Sequence, residues 1–142
     1  MKMESVLASK GPSVVTIGET RLLREAVGML VEHNIGALVV LDAGRVPLGI
    51  LSERDIIRTA SVKPDFLYLT VAEVMTRDVV CASPGDDVDA VLRTMTLRHF
   101  RHMPITENGE LIGIVSIGDL VKAQLDAYRG DIHTLQTQLM ES

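Results

Sequence analysis

The chain has 142 residues, of which 46% are hydrophobic and only 3% aromatic, so aliphatic side chains have to fill its interior. A net charge of −5 argues against a general nucleic-acid-binding protein, because it does not favour approach to phosphates at long range. Cys81 is the single cysteine and no apolar run approaches the roughly 18 residues of a membrane span, so we expect a reducing, cytoplasmic location and no membrane partner.

The first half of the chain predicts a short strand, a helix, two strands and a second helix. Residues 14–17 form the β-rich lead-in, and Thr20 suits a helix start because its hydroxyl can accept a hydrogen bond from a free backbone N–H group. Residues 37–41 and 48–51 are predicted as buried strands, being short, aliphatic and bounded by Gly or Pro. Apolar residues at helical spacing indicate the first helix: Leu22, Leu23, Ala26, Val27, Leu30 and Val31.

The second half restates the first with an offset of 64 or 65 residues. Residues 15–17 align with residues 80–82, which predicts a second buried lead-in strand. Asp87, or Asp86 before it, suits the start of the corresponding helix, and the strands follow in the same order.

The repeat predicts how the chain is divided. We assign residues 1–60 to the first unit, 61–70 to a linker, 71–122 to the second unit and 123–142 to a C-terminal helical tail. A short helical turn is expected at the beginning of each unit, because the residues before the two copies resemble each other.

A phrase of Gly, apolar, any residue, Ser, two residues and Asp occurs in both halves, at residues 49–55 and 113–119. Its glycine removes a side chain from a cleft wall, and the strand-to-helix turn offers a hydroxyl and free N–H groups that suit anionic oxygens. The carboxylate can accept hydrogen bonds from the two vicinal hydroxyls of a ribose. The alternative is a capping box, in which Ser and Asp satisfy backbone donors only.

These two phrases resemble the CBS-domain family, and the chain resembles its short stand-alone bacterial members with a tandem CBS-domain pair, or Bateman module. The resemblance implies an α/β (α+β) fold of two pseudo-symmetric β-α-β-β-α units packed through their sheets. It also implies that adenosine compounds bind in the clefts between the units and that two pairs assemble as a homodimer shaped like a flat disc.

The two copies differ in basic residues. Family members that bind phosphorylated adenosines place basic residues where Arg101 and His102 stand, whereas the first copy has Gly36 and Ala37, so the second copy's cleft is the better candidate. The alternative is a solvated helix end, where cations favour the helix dipole. The predicted nucleotide-binding residues are Asp119, Ser116, Arg101, His102, Asp55, Ser52, Arg54, Cys81, Met103, Thr16 and Lys122.

Catalysis and metal binding are not expected. His99 and His102 lack Cys or acidic partners at the spacing of a zinc site. Cys81 is expected to be buried in the lead-in strand as an inert thiol. No nucleophile and base pattern or phosphate-binding glycine loop is present in the sequence, so no cofactor is required.

The tail repeats apolar residues at steps of four, three, four, three and four, the spacing of a two-helix seam. It is expected to make a dimer contact or, alternatively, to fold back on its own core. Gly130 interrupts the stretch and costs about 1 kcal/mol of helix stability. The residues are Val121, Leu125, Tyr128, Ile132, Leu135 and Leu139.

These features together predict a non-catalytic regulatory sensor that binds AMP, ADP or ATP and acts on an unidentified target protein. One alternative is a structural dimerisation module with vestigial clefts. Another is a binder of S-adenosylmethionine or NADH.

Overall fold

The computed structural model describes residues 1–11 and 13–141. The elements in chain order are α1 (Met3–Lys10), β1 (Thr16–Gly18), α2 (Leu23–His33), β2 (Ala37–Leu41), β3 (Pro47–Ser52), α3 (Glu53–Val62), a 3₁₀ turn (Phe66–Tyr68), α4 (Val71–Val74), α5 (Val88–Arg98), β4 (His102–Glu107), β5 (Glu110–Ser116) and α6 (Ile117–Glu141). The predicted mixed α/β fold built from a repeated unit is therefore confirmed. In the described residues, no helix has the length and apolar content to cross a membrane.

Each half contributes one small sheet. In the first half, β1 pairs with β2 in parallel and β2 pairs with β3 antiparallel. In the second half, β4 pairs with β5 antiparallel, and the segment before α5 adds only one parallel bridge, between Ala82 and Ile105. The predicted second lead-in strand is therefore wrong, because the segment meets β4 at a single residue before Pro84 begins a turn.

The two predicted helix starts have different outcomes. Asp87 is the N-cap of α5, and its carboxylate accepts a hydrogen bond from the amide of Ala90. Thr20 does not cap α2, which begins at Leu23. The amide of Leu23 instead donates to the carbonyl oxygen of Leu69 at 2.8 Å, so tertiary packing supplies the partner that a capping hydroxyl would have supplied.

The interior consists of two aliphatic cores, one for each half. The first core contains residues of β1, α2, β2 and β3, together with Val71 and Met75 from the region of α4. The second core contains residues of α5, β4, β5 and α6, together with Met3 and Val6 of α1. The helical turn that precedes each repeat therefore packs on the core of the other repeat, and the two halves are tied together by this exchange.

Two glycines make the exchange possible. A side chain at Gly113 would place its Cβ 2.4 Å from Leu7 of α1, and a side chain at Gly49 would place its Cβ 2.7 Å from the sulfur of Met75. From the sequence, these glycines are predicted to lie in the wall of a cleft. The structure shows that they leave room for the exchanged segment of the opposite half.

The stretch predicted as a linker, residues 61–70, contains regular secondary structure. Helix α3 continues to Val62, a 3₁₀ turn follows, and Leu69 pairs with α2. At the other end, α6 is one helix of 25 residues that passes through Gly130 without a break. The sequence boundary between residues 122 and 123 falls inside that helix.

Candidate functional site

A cavity of about 520 Å³ lies between the two halves. Its walls come from Gly36, from the turn between β3 and α3, from the segment that follows α4, and from residues 98–102 before β4. The first half thus contributes a strand-to-helix turn and the second half contributes a basic loop.

The turn between β3 and α3 holds the carboxylate of Asp55 in a fixed orientation. One of its oxygens accepts hydrogen bonds from the amide and the hydroxyl of Ser52, at 3.0 and 3.1 Å. The amide of Asp55 in turn donates to the Ser52 hydroxyl at 3.3 Å. The capping box considered from the sequence is therefore formed, and it leaves Asp55 on the cavity wall.

Thr76 completes this wall and was missed from the sequence. Its hydroxyl donates to the second oxygen of Asp55 at 3.1 Å. Its backbone pairs with Ile50 of β3 in both directions, at 2.8 and 2.9 Å. Neither repeat pattern nor composition pointed to Thr76, because its position depends on how α4 of the second repeat packs against β3 of the first.

Basic side chains dominate the other walls. Arg98 is held by Asp78, with a nitrogen to oxygen distance of 3.9 Å, and its guanidinium lies 5.1 Å from the ring centre of Phe100. The cavity is also lined by three further arginines, by two carboxylates and by two histidines: Arg54, Arg58 and Arg101, Glu53 and Asp55, and His99 and His102. The four arginines outnumber the three carboxylates, which include Asp78, so the cavity favours an anionic ligand.

His102 lies where the two halves meet. Burial lowers its pKa, the positive charges of Lys10 and Arg101 lower it further, and the carboxylates of Glu53 and Asp119 oppose the shift. The imidazole is therefore neutral at pH 7 and able to offer one donor and one acceptor.

Gly36 provides the space that His102 needs. A Cβ on Gly36 would lie 2.9 Å from the Glu53 carboxylate and 3.3 Å from the His102 ring. The sequence interpretation took the glycine only as a missing phosphate ligand; the structure adds that it permits close packing between the halves.

The second signature forms a different site. The carboxylate of Asp119 accepts a hydrogen bond from the amide of Ser116 at 2.8 Å and from the ammonium of Lys10 at 2.6 Å. Burial alone would raise the pKa of Asp119, but the bonds from Lys10 and Ser116 outweigh it and lower that pKa. Lys10 therefore neutralises the carboxylate that corresponds to Asp55.

The structure groups the predicted residues differently from the sequence. Arg101 and His102 line the 520 Å³ cavity together with Ser52, Arg54 and Asp55, whereas Ser116 and Asp119 lie outside its lining. The grouping differs because residues 98–102 of the second repeat share the cavity with the turn between β3 and α3 of the first repeat. The backbone carbonyl oxygen of Arg101 accepts a hydrogen bond from the amide of Ile117 at 3.0 Å, and Arg101 lines the cavity together with the turn between β3 and α3 of the first repeat.

Four other predicted residues also lie away from this cavity. Thr16 is half-buried in β1, Met103 is buried in the second core, and Lys122 is exposed on α6. Cys81 is exposed, so its predicted burial is wrong, because the lead-in strand that would have covered it does not form. Cys81 and Met103 line a separate pocket of about 200 Å³.

No group of three His, Cys, Asp or Glu side chains able to hold a metal ion occurs among the residues that the structure describes.

A family model for the CBS domain matches residues 9–61 and 71–126. A protein of Acidianus ambivalens, called an uncharacterized 17.7 kDa protein in the bps2 3' region, is 41% identical over 115 residues, and the match covers 80% of this chain and 66% of that protein. This chain thus spans just under two thirds of that relative's length.

Solved structures share the fold. The CBS-domain-containing protein ATU1752 from Agrobacterium tumefaciens matches with a TM-score of 0.84 and 42% identity, over 87% of this chain and 99% of that chain. The CBS domain pair of protein MJ0100, solved in complex with 5'-methylthioadenosine and S-adenosyl-L-methionine, matches with a TM-score of 0.77 and 26% identity, over 87% of this chain and 98% of that chain.

Proposed function

Because the chain belongs to the CBS-domain family and carries the domain as a tandem pair, we propose that it is a non-catalytic regulatory module that binds AMP, ADP or ATP in the 520 Å³ cavity. The observation that carries this proposal is that a fixed carboxylate, Asp55, and a set of guanidinium groups including Arg101 face the same space. The volume falls within the range of about 300–1,000 Å³ that is usual for small-molecule sites.

Asp55 is suited to the ribose. One carboxylate oxygen already accepts two hydrogen bonds from Ser52, but the other accepts only the bond from Thr76 within the described structure. A carboxylate oxygen has two acceptor positions, so a sugar hydroxyl can bind there while the capping box is kept. The capping role and the ligand role are therefore compatible.

The basic wall is suited to phosphate. Arg54 and Arg58 project from the first helical turns of α3, and Arg98 and Arg101 approach from the second repeat. A ligand with a ribose on Asp55 and phosphates among these guanidiniums would contact both halves and hold them together. In the related MJ0100 structure, an adenosine derivative is bound to a CBS domain pair, which supports the class of ligand.

The two clefts are expected to differ. In the second cleft, the Lys10 ammonium lies 2.6 Å from a carboxylate oxygen of Asp119 and offsets the negative charge that would attract sugar hydroxyls. We therefore expect one tight nucleotide site for each chain, at the first signature. This reverses the order of preference that the sequence suggested.

Thermal unfolding with added ligand tests the assignment. A ligand at 100 times its dissociation constant stabilises the folded state by about 2.7 kcal/mol, which raises the melting temperature measurably. We expect AMP, ADP or ATP to raise it, Asp55→Asn to abolish most of the increase, and the matched variant Asp119→Asn to keep it. If no adenosine nucleotide raises the melting temperature, or if Asp119→Asn rather than Asp55→Asn abolishes the increase, the assignment is wrong. A response to S-adenosylmethionine or NADH alone would favour the alternative ligands.

A structural interaction module with vestigial clefts is the second candidate. The Lys10–Asp119 pair favours it, because one of the two signatures is already neutralised within the protein. This candidate predicts no ligand-induced stabilisation together with a stable assembly, so the same titration distinguishes the two functions.

A further inference from the structure

Helix α6 extends well beyond the body of the protein. It has 25 residues, whereas the corresponding helix of the first repeat, α3, has 10. Near its start it contacts α1, α5 and β5, and Leu120 is buried in the second core. All 14 residues of the stretch 128–141 are exposed, so about 21 Å of helix projects from the core.

One face of this helix is apolar. Five side chains at steps of four, three, four and three residues form what we call the α6 seam: Val121, Leu125, Tyr128, Ile132 and Leu135, which are 42, 49, 58, 55 and 59% exposed. The 14 projecting residues are about as many as an isolated helix needs to be even marginally stable in water, and Gly130 costs this stretch about 1 kcal/mol more. Burial of the seam against another helix would supply the missing stability.

We propose that the α6 seam pairs with the same seam of a second copy of this chain, as a parallel two-stranded coiled coil. The average step of 3.5 residues is the repeat that keeps one stripe facing a partner helix along its whole length. Gly130 falls on the opposite side of the helix, by its spacing from Tyr128 and Ile132, so it does not leave a gap in the interface.

The charges beside the seam decide between the two orientations. In a parallel pair, Arg129 faces Gln124 and Asp131 faces Gln136 of the second copy, so no like charges meet. In an antiparallel pair that sets Leu125 against Leu135 and Tyr128 against Ile132, Arg129 faces Arg129 and Asp131 faces Asp131. Self-pairing in parallel is therefore the favoured arrangement.

Parallel pairing is also the arrangement that buries the first residues of the seam. Val121 and Leu125 lie where α6 leaves the core, close to Leu120. In a parallel pair, the two bodies stand side by side at this end and cover these two residues. In an antiparallel pair, the bodies are at opposite ends and only the partner's helix tip reaches them.

Sedimentation equilibrium of the full chain tests the interface. We expect the wild type to have twice the mass of one chain, Ile132→Lys to have the mass of one chain, and the matched outer-face variant Thr137→Lys to keep the double mass. Because Ile132 is exposed on the projecting helix, the variant should fold, and an unchanged melting profile of the core would verify this. A monomeric wild type, or an Ile132→Lys protein that dimerises as well as the wild type, would overturn the proposal.

Disulfide trapping in a Cys81→Ser background tests the orientation. In a parallel coiled coil, position 125 lies opposite its own copy, so Leu125→Cys should form a cross-linked dimer under mild oxidation. In an antiparallel coiled coil, position 125 lies opposite position 135. Cross-linking only when Leu125→Cys is mixed with Leu135→Cys, and not with Leu125→Cys alone, would overturn the parallel arrangement.

Discussion

The ammonium of Lys10 lies 2.6 Å from a carboxylate oxygen of Asp119 and 2.7 Å from the carbonyl oxygen of Ile114. Lys10 ends helix α1, which packs on the second core, so the ion pair joins the start of the chain to the second signature. At the first signature, the corresponding partner of the carboxylate is the neutral hydroxyl of Thr76. This difference makes the two clefts chemically unequal.

Removing the Lys10 charge should open the second cleft. In Lys10→Met, the Asp119 carboxylate loses the cation that offsets its charge and becomes a stronger acceptor for a sugar hydroxyl. We expect isothermal titration with the nucleotide that binds the wild type to change from one site for each chain to two. Because both side chains are about one third exposed, the loss of folding stability should be within about 1 kcal/mol. The control is Lys122→Met; a stoichiometry that stays at one in Lys10→Met would contradict the prediction.

Folding stability should fall with acidification through the titration of His102. Its folded pKa is lowered from 6.5, so the unfolded chain binds the proton more readily. The stability contributed by the neutral imidazole is fully present above pH 6.5 and is lost as the pH falls toward and through the folded pKa. Urea unfolding between pH 7.5 and about pH 5 should show this decline in the wild type and a smaller decline in His102→Gln. Equal slopes for the two proteins would show that other groups are responsible.

Gly49→Ala should destabilise the protein and weaken the cavity wall. The added Cβ would lie 2.7 Å from the backbone carbonyl oxygen of Thr76, which cannot move without releasing its bonds to Ile50. We expect a loss of about 1–3 kcal/mol in urea unfolding. Gly113→Ala meets only the end of the Leu7 side chain, which can rotate, and should cost less.

Gly28→Ala is the matched control for that pair. Gly28 lies inside α2, and nothing stands within 4 Å of its added Cβ, so the substitution should stabilise the protein by about 1 kcal/mol. If Gly49→Ala proved as harmless as Gly28→Ala, the close contact between β3 and the segment after α4 would not be as described.

Arg101→Ala should weaken binding in proportion to the phosphates of the ligand. Hydrogen bonds to charged groups contribute about 1.5–3 kcal/mol, so ATP affinity should fall about tenfold or more, while the affinity for adenosine should change little. Lys122→Ala, which alters an exposed cation on α6 outside the cavity lining, is the control. An equal loss for ATP and adenosine would indicate that Arg101 supports the fold rather than the phosphates.

The sequence by itself determined the features that depend on short stretches of chain. The repeat and the two signatures predicted the order of helices and strands, and the position of Asp87 predicted the cap of α5. These succeed because capping and hydrophobic periodicity act between residues a few positions apart.

Only the tertiary structure decided which groups share a site. The start of α2 is satisfied by Leu69, and Arg101 lies with Asp55 rather than with Asp119. Lys10 closes the second signature from a segment more than 100 residues away. These outcomes follow from the exchange of α1 and α4 between two nearly equivalent cores. A repeat pattern describes both halves alike and therefore contains no information on which half packs against which.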